Sequence, residues 1–150
     1  MRAAIELSLK KMRDDCGGPF GAIIVRKNKI VGRGWNRVTS TNDPTAHAEV
    51  SAIRDACKKL KTFKLDGCEI YVNCEPCPMC LAAIYWARIE KIFYANTRKD
   101  AAEIDFDDDL IYREISLPIS RRKILMKQLL RAEALEVFAE WKSKADKVRY

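Results

Sequence analysis

Residues 70–95 read IYVNCEPCPMCLAAIYWARIEKIFYA, and this stretch decides the fold. Ile70-Tyr71-Val72 and Ile92-Phe93-Tyr94-Ala95 are short runs of β-branched and aromatic residues, the composition of buried strands. Between them Pro76 opens a segment with Met79, Leu81, Ile84 and Trp86 that predicts a helix. Upstream, Ala22-Ile23-Ile24-Val25 and Ile30-Val31-Gly32 predict a hairpin turning around residues 27–29. Short strands alternating with helices predict α/β layers around one sheet.

The remaining segments fill in that plan. Residues 3–12 carry apolar side chains at helical spacing and predict a first helix ending near residues 14–16, where Gly17-Gly18-Pro19 breaks it. A Thr/Ser/Asn-rich loop covers residues 36–42. Asp43-Pro44 then reads as an N-cap and first helical position, leading into Ala46, Val50, Ile53, Ala56, Cys57 and Leu60. An acidic loop at residues 105–109 precedes an amphipathic helix carrying Leu125, Leu129, Leu130, Leu135, Phe138 and Trp141. The sequence contains no internal repeat, low-complexity stretch or linker.

At 150 residues and 17.2 kDa, the chain is one domain's worth of sequence, read as a single domain over residues 1–150. Its 48% hydrophobic and 33% charged residues exclude a disordered or fibrous class. No apolar run approaches the roughly 20 residues of a membrane span. Met1 to Glu6 enters helical spacing directly, without a secretory apolar core, so a cytoplasmic protein is expected. The net charge of +7 is uneven: residues 101–120 hold one basic against six acidic side chains, and residues 121–150 hold nine against four. A basic tail permits nucleic-acid contact, and it is equally the pattern of a solvated face on a terminal helix.

Six cysteines and a single histidine carry the chemistry. Cys74, Cys77 and Cys80 are bunched, a pattern of metal binding in a chain without an export signal. Cys16, Cys57 and Cys68 stand apart and read as buried small hydrophobes. Cys77 and Cys80, three apart at a helix start, share a face and sit where the helix dipole favours thiolate. His47, also expected early in a helix, supplies a nitrogen. Three protein ligands leave a fourth position for water, the pattern of a catalytic zinc, whereas Cys74 as a fourth ligand would close the site as a structural one. Glu49, two residues after His47, is placed to act as general base on such a water; alone it would read as a helix-start acid facing the macrodipole.

His47-Ala48-Glu49 with Pro76-Cys77-Pro78-Met79-Cys80 matches the zinc deaminase pattern His-x-Glu and Pro-Cys-x-x-Cys. The chain resembles the cytidine deaminase superfamily. That resemblance implies a three-layer α/β/α sandwich with a mixed central sheet of about five strands, one Zn²⁺ per chain, and Glu49 as a proton shuttle. Residues 17–22, 42–50, 74–80 and 83–88, with Phe106-Asp107-Asp108, residues 111–115 and Tyr150, resemble small bacterial guanine deaminases. Gly34-Trp35-Asn36-Arg37 and the first two of these stretches are also similar to bacterial tRNA adenosine deaminases.

The guanine deaminase resemblance implies hydrolytic deamination of a free purine base, guanine to xanthine and ammonia. It assigns Asn36 and Asp108 to hydrogen-bonding the purine, and Phe20 and Trp86 to walling it. It makes residues 120–150, ending in Tyr150, a helical tail that closes the site, exchanged between subunits in some members, and it implies a homodimer. A tail more basic than this family's keeps guanosine, another aminated heterocycle or tRNA adenosine as alternative substrates. A zinc-stabilised binding module, with Cys74 as fourth ligand, is the reading from a different class.

Overall fold

The computed structural model describes residues 1–149, so Tyr150 lies outside the described residues. The chain divides into two compact units, Met1–Asp108 and the segment from Asp109 onward.

The first unit is built on a mixed sheet. Its strands are β1 (Gly21–Arg26), β2 (Lys29–Trp35), β3 (Cys68–Cys74) and β4 (Lys91–Asn96). They lie in the order β2-β1-β3-β4, with β1 antiparallel to both neighbours and β3 parallel to β4. The described residues thus form four strands where about five were expected. The helices of this unit are α1 (Arg2–Arg13), the short α2 (Val38–Thr41), α3 (Ala48–Leu60), α4 (Pro78–Trp86) and the short α5 (Arg98–Ala102).

Strand register fixes which side chains share a face. Ala22 lies opposite Gly34 and Val72, and Ile24 opposite Gly32 and Ile70. This face carries the core, in which Ala22, Ile24, Ile70 and Val72 pack with Ala48, Ala52 and Ala56 of α3 and Ile84 of α4. Each fully buried Ile or Val contributes about 1.5–3 kcal/mol through removal from water. The opposite face carries Gly21, Ile23 and Trp35 and receives α1. There Ala4 and Ser8 are buried, and Lys11 Nζ sits 4.5 Å from the centre of the Trp35 ring. The three layers expected of the sandwich are present.

Several expected boundaries move. Helix α3 begins at Ala48, not at Pro44, because Asp43 caps a turn of its own: its Oδ1 accepts from Thr45 N–H at 2.8 Å and from the Thr45 hydroxyl at 2.6 Å. Helix α4 begins at Pro78, with Cys77 as N-cap, so the proline at the first helical position is Pro78 and not Pro76. Part of the expected 36–42 loop forms α2. Cys68 is buried as expected, whereas Cys16 and Cys57 are half-buried.

The second unit holds α6 (Asp109–Ser116), a single 3₁₀ turn (Ile119–Arg121) and α7 (Arg131–Ser143). The Arg122 guanidinium donates to the carbonyls of Ile115, in the last turn of α6, and of Leu117, just past it. The expected amphipathic helix is shorter than the apolar spacing predicts: Leu125, Leu129 and Leu130 precede α7. Neither helix of this unit contains a buried residue, and Leu125 is 88% exposed and Phe138 71%.

Helix α3 approaches β2 closely because glycine faces alanine. A Cβ on Gly34 would collide with the Ala48 carbonyl and the Ala52 amide, and one on Gly32 with the Ala52 carbonyl and the Ala56 Cβ. Gly34→Ala is therefore expected to destabilise the chain by about 2 kcal/mol or more. The measurement is the denaturant midpoint at constant m-value; an unchanged midpoint would contradict this packing.

Candidate metal centre and active site

Two helix starts meet at the site. His47 is the N-cap of α3 with φ −66° and ψ 161°, and Cys77 is the N-cap of α4 with φ −64° and ψ 167°. Both residues are extended, so each turns its side chain off the end of its helix, where unpaired N–H groups favour negative charge. The loop before His47 is tied down by Thr45 O accepting from His47 N–H at 2.8 Å and Ala46 O accepting from Arg37 N–H at 2.9 Å.

His47 Nδ1 lies 3.6 Å from Cys77 Sγ and 3.5 Å from Cys80 Sγ. The ligand atoms of these three residues all fall within 4.8 Å of one another. Zinc bonds of about 2.3 Å to sulfur and about 2.0 Å to nitrogen, at tetrahedral angles, set a nitrogen–sulfur separation of about 3.6 Å. The residues fit zinc. Cys74 does not join them: its thiol donates toward Thr97 O at 3.6 Å, and burial, aided by the Glu49 charge, pushes it up to about 11. The group therefore has three members among the described residues.

The electrostatics favour thiolate at this point. The Cys80 S–H donating to it holds the Cys77 thiol down at about 4, with His47 acting in the same sense against burial. The same bond to Cys77, then burial and the Glu49 charge, pushes Cys80 up. The two sulfurs thus share one negative charge, which a divalent cation would turn into two thiolates. His47 is raised by its hydrogen bond with Cys77 against the opposing effect of burial. Glu49, in the first turn of α3 and 8% exposed, has its carboxyl raised chiefly by burial, while its own backbone N–H opposes the shift. A buried carboxyl raised in this way holds a proton more readily than an exposed one.

Asn36 is buried, and its Oδ1 accepts from Gly18 N–H at 3.3 Å and Val38 N–H at 3.2 Å. Those two bonds fix the oxygen end of the amide, and Nδ2 is its donor end. Asp108 is half-buried, and its carboxyl is raised by burial and then by the Cys77 charge.

The Phe20 ring meets Phe106 edge to face, with centroids 4.8 Å apart and planes at 86°. Phe106 also stands beside Gly18 and Asn36, a contact that helical or strand periodicity could not reveal because residues 106–108 are irregular. Phe20 further borders an apolar cavity of about 240 Å³ between α1, α5 and the sheet, which contains none of His47, Cys77 and Cys80. Trp86 ends α4 and is 69% exposed, so it is not a core residue.

The cytidine and deoxycytidylate deaminase zinc-binding region matches residues 1–96. The chain belongs to this family of zinc-binding deaminases. Over all 150 residues it is 49% identical to the guanine deaminase of Bacillus subtilis (strain 168), covering 96% of that protein. The crystal structure of guanine deaminase from Bacillus subtilis superposes with a TM-score of 0.96 at 50% identity, over 99% of this chain and 95% of that one. The tRNA-specific adenosine deaminase of Aquifex aeolicus (strain VF5) is 48% identical over 81 residues, 54% of each chain.

Metal analysis after purification is expected to give one zinc per chain for the wild type and for Cys74→Ser, and less than about a tenth of that for Cys77→Ser or His47→Ala. A Cys74→Ser variant without zinc would place that thiol in the site after all.

Proposed function

We propose that this protein is a zinc-dependent guanine deaminase that converts guanine and water to xanthine and ammonia. The observation that carries this reading is the extent of the match. Likeness to a guanine deaminase runs the whole length of the chain at 49% identity, while tRNA-specific adenosine deaminases match either 54% of it at 48% or 82% of it at 35%.

In this reading His47 Nδ1 and the sulfurs of Cys77 and Cys80 hold the zinc. Bound there, zinc supplies a Lewis acid that brings the pKa of a coordinated water near 7. Glu49 takes one proton from the attacking water and gives it to the ring nitrogen, then takes the second from the hydroxyl now on C2 and gives it to the amine leaving as ammonia, so the carboxylate ends as it began. Asn36 Nδ2 donates to an acceptor on the purine edge, and the Asp108 carboxylate accepts from its N–H groups. Drawing a half-buried carboxylate further out of water is costly without such donors, which favours a base that supplies them. Phe20 walls the ring.

The protein is further read as a cytoplasmic homodimer of purine metabolism whose tail, residues 120–150 with Tyr150, closes the site. Exposure of Leu125, Leu129 and Phe138 supports a second copy as their cover. Free cysteines and no disulfide among the described residues suit a reducing compartment. No described helix is long and apolar enough to cross a membrane.

Ammonia release from guanine, guanosine, cytidine and tRNA, offered in parallel at fixed salt, tests the reading. Release from guanine alone is expected; release from tRNA alone would replace guanine as the substrate. Glu49→Gln is expected to retain zinc and lose several orders of magnitude in kcat, about 10³-fold or more. Near-normal turnover in that variant would remove Glu49 from the chemistry.

A further inference from the structure

We propose that Asn73 is a positioning residue that sets the purine-facing loop of the site; the role it would serve rests on the guanine deaminase reading. Asn73 lies on β3, directly before Cys74, and both ends of its amide are engaged far along the chain. Its Oδ1 accepts from Gly21 N–H at 2.8 Å, and its Nδ2 donates to Pro19 O at 2.8 Å. The two bonds straddle Phe20.

Residues 17–20 precede β1 and have no strand partner, and Pro19 has no N–H, leaving its carbonyl as its one backbone hydrogen-bonding group. From this clamp the contacts run to the site. Phe20 N–H donates to Gly18 O at 2.8 Å, and Phe20 O accepts from Asn36 N–H at 3.0 Å. Gly18 N–H in turn donates to Asn36 Oδ1 at 3.3 Å, one of the two bonds that fix the oxygen end of that amide. Asn73 therefore holds the loop from the β3 side, Asn36 holds it from the end of β2, and the Phe20 ring lies between them. Asn73 touches neither the three-residue metal group nor Glu49 through any of these bonds, so its removal should act on binding and not on the chemical step.

Asn73→Leu keeps the same number of side-chain heavy atoms and the same branching, and removes both bonds. KM for guanine is expected to rise about ten-fold, with kcat within about two-fold of wild type and zinc still one per chain. Amide hydrogen exchange is expected to quicken at Gly21 relative to Ile24, which sits mid-strand in β1. Asn73→Ser, polar and shorter, covers the case in which leucine prevents folding, and the same separation of KM from kcat is expected. A wild type inactive on guanine would overturn the substrate reading. A wild type active on guanine, with variant KM unchanged or with kcat and zinc content falling alongside it, would overturn the positioning role alone. Unchanged Gly21 exchange would overturn it whatever the substrate.

Discussion

The close seating of α3 on the sheet is the constraint from which the rest of the site follows. Gly32 and Gly34 on β2 leave room that Ala48, Ala52 and Ala56 fill, so helix backbone approaches strand backbone with almost no side chain between them. Small-to-small packing of this kind has little slack, because any added methyl must displace main chain. It fixes the N-terminal end of α3 against the end of β2. That end carries His47 as N-cap and Glu49 in the first turn. The same contact therefore builds the core and sets the positions of the residues that face the metal.

The second helix start turns this geometry into chemistry. Cys77 and Cys80 bring two sulfurs to the N-terminus of α4, and the Cys80 S–H and His47 stabilise negative charge on Cys77. Glu49 lies in the same buried region and responds in the opposite sense, its proton held by lack of water. One environment thus yields a sulfur that readily ionises and a carboxyl that readily carries a proton. The difference comes from hydrogen-bond donors aimed at the first and burial acting on the second. A zinc hydrolase that moves protons needs both states side by side.

Much of the site was legible because the chemistry demands particular residue types at short spacing. A Cys-x-x-Cys at a helix start and a His-x-Glu at another can be read without coordinates, since helical geometry alone decides which side chains share a face. The hairpin and strands β3 and β4 were legible for a similar reason, their β-branched and aromatic runs being short and bounded by turn residues. Helix starts were less so. Asp43-Pro44 and Pro76 carry the usual opening residues, yet the Asp43 carboxylate bonds to Thr45 and the helix waits until Ala48, while Pro78 takes the place expected of Pro76. Local propensity names the residues able to open a helix, and competing side-chain bonds decide which one does.

Residue type and local period were enough for the α/β class and for grouping His47, Cys77 and Cys80 as metal ligands, while the resemblance to the zinc deaminases came from their motifs. Tertiary structure alone decided that Cys74 turns to Thr97 and stays outside the group, that Trp86 ends exposed at the far end of α4, and that Phe106 meets Phe20. It alone revealed Asn73 clamping a loop more than fifty residues away. The physical reason is common to all four. A side chain's partner across the fold depends on how sheet and helices pack in three dimensions, and no periodicity along the chain encodes that distance.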